Sequence, residues 1–211
     1  MKTTGLDIVS KRITKLEKKA FEEILKSKRK LKILDLASGS SFFGLSCVFF
    51  GQRVFLYDKK INLNIKIIKK IFKLKNLIYQ KQNLKKINYK TFPKNIDIVY
   101  CSRFLHYLKY NQTENFLKIL KKTLNNEGKI FFSISGINSE LSKDYEDKEK
   151  NIQDRFSKLS FENQKKFKIK QKVCLYSKNE TKELFEKYFK IQDIWESDFG
   201  NIFVIAKNRK N

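Results

Sequence analysis

Between Ser10 and Lys26, apolar residues recur at Ile13, Leu16, Ala20, Phe21, Ile24 and Leu25. That spacing predicts an amphipathic helix with Ser10 as its cap. The next apolar run, "KILDL", is short and continuous, as a strand buried on both faces reads. A tight turn follows, and then "SFFGLSCVFFG" predicts a buried helix. "RVFLYD" is a second strand ending in an acid, and "INLNIKIIKKIFK" interleaves apolar residues and lysine at helical spacing. "NLIYQ" and "IDIVYC" predict the third and fourth strands. In "NQTENFLKILKKTLNNEG", Asn111 is the expected cap, Glu114 follows three residues on, and Gly128 lies past the helix end. "KIFFSIS" predicts a fifth strand. Ser177 and Glu180 open "SKNETKELFEKYF" in capping-box register. Two last strands, "IQDIWES" and "NIFVIAK", are joined only by "DFG", which predicts an antiparallel hairpin.

Strands alternating with helices imply a Rossmann-like α/β fold: a doubly wound, mostly parallel seven-stranded sheet with helices on both faces. The alternation breaks after Gly136. Residues 137–176 are polar, weakly periodic and carry charge runs such as "KDYEDKEK". So long an excursion inside a compact domain reads as a lid or binding segment, or as a surface excursion with helices of its own. Residues 1–29 form an N-terminal helical segment, and the whole span 1–211 reads as one domain, with no internal repeat and no Pro- or Gly-rich linker.

Composition changes this picture in one respect. At 211 residues, 41% of them apolar and 19 of them Phe, the chain suits a single full core. Its formal charge of +25 raises nucleic acid as a partner. Only six of the 47 basic residues are arginine, however, with three alanines and one proline against abundant Lys, Ile, Asn and Phe. AT-rich codons encode the abundant set, so much of the lysine can be drift onto solvated faces. RNA therefore stays open as a partner without being required. Cys47, Cys101 and Cys174 are too widely spaced for a disulfide framework or a zinc knuckle, and no metal site is expected. The N-terminal stretch "MKTTGLDIVSKRITKLEKK" has no apolar h-region, and no run is long enough to span a bilayer. The expectation is a cytoplasmic protein without a membrane partner; no pattern sets its oligomeric state.

Candidate chemistry concentrates in the turn "DLASGSSFFG". Against the dinucleotide fingerprint G-x-G-x-x-G it offers Ala37, Gly39 and Phe42, and Phe42 is a poor residue for close helix–strand packing. Asp35 at the strand end would also repel a pyrophosphate. A cationic, phosphate-free nucleoside reverses that objection, and S-adenosylmethionine is one. Asp35 would then attract the sulfonium end while backbone N–H groups take the carboxylate. Asp58 ends the second strand, at the spacing expected of a ribose-binding acid, and Asn83 in "QKQNL" offers a polar edge for adenine. The competing readings are that both aspartates cap the following helices and that Asn83 is an ordinary turn residue.

The order "ILDLASGSSFFG", "VFLYD", "QKQNL", "IDIVYCSRFLHYL", "LNNEGKIFFSIS" resembles the class I S-adenosylmethionine-dependent methyltransferases over roughly residues 30–136 plus the closing strand pair. The resemblance implies S-adenosylmethionine as cofactor. It places Asp35, Ala37 and Gly39 at the methionine end, Asp58 on the ribose, Asn83 with Leu84 at the adenine, and Cys101 and Ser102 near the methionine moiety. Ala37 and Ser41 stand where the family often has glycine, which the turn tolerates if neither needs positive φ. Asn83 replaces a more frequent acid.

The acceptor is less defined. The segment "CSRFLHYL" lacks the Asn/Asp-Pro-Pro-aromatic stretch of amino-group nucleic-acid methylation, and Cys101 has no neighbouring proline as cytosine C5 enzymes require. His106, the only histidine, is the candidate general base, or else a packed core histidine. Arg103 is the candidate for an acceptor carboxylate or phosphate, or else pairs with a surface acid. Tyr107, and from the excursion Tyr145, Arg155, Phe156 and Tyr176, are candidates for the acceptor pocket, with simple packing as the competing reading. Single-domain size and an internal lid favour a small-molecule acceptor. The charge keeps RNA or protein methylation as an alternative, and a non-catalytic cofactor-binding module is the second alternative.

Overall fold

The computed structural model describes residues 14–60, 62–86 and 92–209. The expected helix cap Ser10, and Ile13, lie outside them. Seven strands run β1 (Lys32–Leu36), β2 (Arg53–Asp58), β3 (Leu77–Lys81), β4 (Ile96–Ser102), β5 (Leu124–Ser135), β6 (Phe189–Glu196) and β7 (Asn201–Asn208). They form one sheet in the order β3-β2-β1-β4-β5-β7-β6. Strands β1 to β5 pair in parallel, and β7 runs antiparallel to both β5 and β6. The expected hairpin is present, and the strand order reverses between β1 and β4. A crevice opens at the carboxyl ends of the strands at such a reversal.

Helices α1 (Lys15–Lys26), α2 (Phe42–Phe49) and α3 (Leu63–Ile71) cover one face, burying Leu16, Ala20, Phe43, Cys47 and Ile65 against Ile33, Val54 and Leu56. Helices α4 (Tyr110–Thr123) and α6 (Lys178–Glu186) cover the other, setting Phe116, Leu117, Leu184 and Phe185 against Leu34, Val99 and Phe132. Two-sided burial is why the strands read as continuous apolar runs rather than alternating ones.

Three local expectations need correction. Helix α4 starts at Tyr110, not after Asn111: Gln112 Oε1 accepts from the Lys109 N–H at 3.0 Å, closing the helix start two residues earlier than the Asn111–Glu114 pair implied. Strand β5 begins at Leu124, which pairs with Ile96 before a register irregularity, so Gly128 sits inside the strand and does not end the helix. At α1, Thr14 and Glu17 form the capping box. The Ser177–Glu180 box of α6 is as read.

Residues 137–176 contain a short 3-10 turn at Glu140–Ser142, helix α5 (Phe161–Phe167) and a small apolar core of Leu141, Tyr145, Leu159, Val173 and Leu175. The segment is tied to the carboxyl end of the sheet where the Cys174 N–H donates to the His106 carbonyl at 2.7 Å, and its own two ends join where the Ile137 N–H donates to the Tyr176 carbonyl at 2.7 Å.

Candidate functional site

The turn from β1 into α2 meets the end of β2. Asp58 Oδ2 accepts from the Gly39 N–H at 3.0 Å, and Oδ1 accepts from the Lys60 N–H at 2.8 Å. From the other side the Asn62 amide, which also caps α3, reaches the Gly39 carbonyl at 3.4 Å. Gly39 is thus held by groups from β2 and the α3 cap. Its φ is +51°, and a Cβ placed there would find only one atom, 3.9 Å away, so its outer side is open space.

Ala37 and Ser41 adopt φ of +53° and +57°. Both small residues stand in the left-handed region, so the condition on which the turn was expected to tolerate them is not met, and each carries strain. The close helix–strand approach that Phe42 could not make is made two residues later. A Cβ on Gly44 would lie 2.3 Å from Leu56 Cδ2 and 2.8 Å from an Asp35 carboxylate oxygen, while Phe42 is 54% exposed. Sequence reading missed Gly44 because the fingerprint directs attention to the sixth position.

Asp35 is buried on the α1–α2 face. Burial pushes its carboxyl pKa well above the usual range; the Gly44 backbone N–H opposes that shift, and the neighbouring carboxylates of Asp58 and Glu17 add to it. Asp35 sits beneath the turn, with a carboxylate oxygen against Gly44 in the first turn of α2. Two hydroxyl oxygens of the same turn, Ser38 Oγ and Ser41 Oγ, are buried without a hydrogen-bond partner among the described residues. Buried polar atoms are normally satisfied, so such a pair in one loop points to a ligand.

Other expected contacts are placed differently. Asn83 Oδ1 accepts from the Lys85 N–H at 3.2 Å and starts a 3-10 turn, Leu84–Lys86, so it does the work of a turn residue with one lone pair left over. Leu84 is buried beneath that turn. The Cys101 side chain lies in the core, with its thiol pKa pushed up by burial, so a side-chain contact with the methionine end is not what this position offers. Ser102 Oγ pairs with Ser133 Oγ at 2.9 Å.

His106 is 1% exposed and packs on Tyr107, with the ring centroids 4.1 Å apart. Burial, then the charges of Arg103 and Lys85, push its pKa down to about 3. A buried imidazole that stays neutral far below pH 7 does not suit the general-base role, because a base works best with a pKa near the operating pH. Tyr107 is half-buried and packs against both the main core and the core of the inserted segment.

The acceptor-pocket expectation for Tyr145, Arg155 and Tyr176 is corrected: all three turn inward. The Tyr145 hydroxyl donates to the Val173 carbonyl at 2.6 Å. Arg155 is buried, donates to the Leu175 and Lys150 carbonyls, and pairs with Glu180 at 2.9 Å. Tyr176 is fully buried, with its hydroxyl 3.1 Å from Thr113 Oγ1. Polar groups buried this completely must find internal partners, and these pin the segment to α4 and α6. Phe156 is half-buried against the main core. Arg103 directly follows β4 with φ +50°, and its N–H donates to the Ser133 carbonyl at 2.8 Å and to Ser133 Oγ at 3.1 Å. Among the described residues no group of three or more His, Cys, Asp or Glu is placed to hold a metal ion, and no helix is long and apolar enough to cross a membrane.

No protein-family model matches the chain. No curated protein sequence matches it either. Solved structures do. A Pyrococcus horikoshii protein superposes with a TM-score of 0.71 at 16% identity over 95% of this chain and 91% of its own. An S-adenosylmethionine-dependent methyltransferase from Mesorhizobium loti gives 0.68 at 15% identity over 92% and 98%. The 1,6-didemethyltoxoflavin-N1-methyltransferase of Burkholderia thailandensis, with 1,6-didemethyltoxoflavin and S-adenosylhomocysteine bound, gives 0.66 at 12% identity over 93% and 79%. The chain has the fold of the class I S-adenosylmethionine-dependent methyltransferases.

Proposed function

We propose that this protein transfers a methyl group from S-adenosylmethionine to a small molecule. The observation that carries the reading is the β1–α2 turn, where Asp58 grips Gly39 and two serine hydroxyls lack partners among the described residues. A cationic nucleoside without phosphate matches that set. Each Asp58 oxygen makes one hydrogen bond to the backbone and keeps a lone pair for a ribose hydroxyl. Ser38 and Ser41 suit the polar groups of the methionine end, and the open side of Gly39 leaves room for it. Structural neighbours that hold S-adenosylhomocysteine support the same cofactor.

When bound, S-adenosylmethionine supplies a methyl carbon made electrophilic by its sulfonium. The acceptor's lone pair forms the new bond to that carbon, and the carbon–sulfur electron pair leaves on a neutral thioether. An N–H or O–H acceptor also gives up a proton. The task left to the protein is to hold two reactants in line and keep water out, and positioning alone can supply much of the acceleration. The neutral, buried His106 fits a site that positions rather than abstracts. The inserted segment, anchored at the carboxyl end of β4 through His106, forms a wall on the acceptor side.

The test is release of S-adenosylhomocysteine over a panel of metabolites with total RNA included. Turnover with a low-molecular-weight acceptor is expected. Turnover with RNA alone, or with none of the panel while the cofactor binds, would contradict the small-molecule reading.

A further inference from the structure

Ten large apolar side chains stand exposed among the described residues. Eight of them lie on α1, α2 and α3 or at the residue that ends each helix, and only Phe161 and Phe199 lie elsewhere. Helices α4 and α6, on the other side of the sheet, carry none. Codon drift would scatter apolar residues over every solvated face, so this clustering calls for a cause of its own.

Three of the eight form a ridge on α3. Leu63, Ile67 and Ile71 recur every four residues and are 68%, 54% and 66% exposed. At about 100° per residue, the ridge is centred about 160° around the helix from Ile65, the buried residue of α3. It therefore points away from the body of the protein. Helix α3 thus has two apolar stripes, and the core uses one of them. Past Ile71 comes Phe72, whose ring meets that of Phe49 edge to face with centroids 5.7 Å apart, and both rings are more than half exposed.

Charge says what would cover the ridge. Between Asp58 and Asp97 the chain holds twelve lysines and no acid. Lys66 and Lys70 follow Leu63 and Ile67 by three residues, so their exposed side chains run along one flank of the ridge. A symmetric second copy would bring this lysine-rich stretch against its own image, which like-charge repulsion opposes. An apolar ridge edged with lysine suits the headgroup layer of an anionic bilayer. The ridge enters the acyl boundary, and the lysine stems follow it while their ammonium groups stay with the lipid phosphates. At nine residues α3 spans about 14 Å against a bilayer core of about 30 Å, so it would lie along the surface without crossing.

We propose that the α3 face binds an anionic lipid surface, with Leu63, Ile67 and Ile71 entering the headgroup boundary. The inference goes beyond methyl transfer and does not rest on it. Asn62, which caps α3, also reaches the Gly39 carbonyl at 3.4 Å, so docking of α3 would bring the rim of the crevice close to the lipid.

The test floats the full-length protein with vesicles of phosphatidylcholine, and with vesicles in which about a third of the lipid is phosphatidylglycerol. Binding to the anionic vesicles is expected, with little to the neutral ones. A protein of charge +25 meets anionic lipid through charge alone, so variants that preserve charge decide the matter. Ile67→Gln combined with Ile71→Gln should weaken binding about tenfold or more, while Phe161→Gln, a comparably exposed ring on the inserted segment, should leave it within about twofold. Lys66→Gln with Lys70→Gln should weaken binding several-fold more than Lys178→Gln with Lys182→Gln, the same loss of charge on α6. All of these positions are exposed, so the variants are expected to fold, which melting temperatures check. No binding to anionic vesicles, equal effects of the ridge variant and Phe161→Gln, or equal effects of the two lysine pairs would overturn the proposal. So would a dimer in sedimentation velocity that the ridge variant splits, because the ridge would then face a second copy.

Discussion

At the scale of single residues, burial decides which chemistry is left open. His106 and Asp35 were both candidates for direct action, and both are enclosed, with opposite consequences for pH. The His106 pKa falls to about 3 in the folded protein, below its ordinary value near 6.5. Its contribution to stability is therefore complete above pH 6.5 and is lost as pH falls toward 3. Wild-type protein should lose a few kcal/mol across that window, and His106→Gln should lack the slope; urea midpoints at successive pH values check this. Asp35 has its pKa raised, so its contribution is present below about pH 4 and lost as pH rises through the folded value. Asp35→Asn should accordingly raise the melting temperature at neutral pH while weakening S-adenosylmethionine binding. A variant that loses stability at pH 8 would show that the charged form is satisfied by its surroundings.

At the scale of elements, the β1–α2 turn shows what a fingerprint conveys and what it hides. The spacing of Asp35, Gly39 and Asp58 was legible, because strand ends and turn residues are local features. The left-handed backbone at Ala37 and Ser41 was not, since nothing in a side chain's identity reports a φ that the tertiary structure imposes. That strain leads to a prediction. Ala37→Gly relieves about 1–2 kcal/mol of left-handed strain and gives back up to about 1 kcal/mol through greater freedom of the unfolded chain. A net gain of up to about 2 kcal/mol is expected by chemical denaturation, and a loss would place another constraint on the alanine methyl. The inserted segment gives the converse lesson. Tyr145, Arg155 and Tyr176 looked like pocket residues because they are polar and ring- or charge-bearing in a polar stretch. Their partners Val173, Glu180 and Thr113 lie 28, 25 and 63 positions away, beyond the reach of any local pattern.

For the whole molecule, the architecture was readable because a parallel sheet covered on both faces leaves unbroken apolar runs at regular intervals. The charge of +25 was not readable as function, because composition does not say where lysines gather. One basic cleft, of about 480 Å³ and lined by Lys118, Lys121, Lys122 and Arg209, lies at the end of α4 and the start of β5. That is the opposite end of the sheet from the crevice, and a small acceptor would not reach it. Turnover of a low-molecular-weight acceptor should therefore change little between 50 and 200 mM salt, whereas an RNA acceptor making many phosphate contacts would lose orders of magnitude in affinity over the same range.

The most direct measurement is calorimetric titration of S-adenosylmethionine into the wild-type protein and Asp58→Ala. Saturable binding by the wild type is predicted, with affinity about tenfold or more weaker once the ribose acceptor is removed. Absence of heat at millimolar ligand, or equal affinity in the two proteins, would contradict the assignment of the crevice.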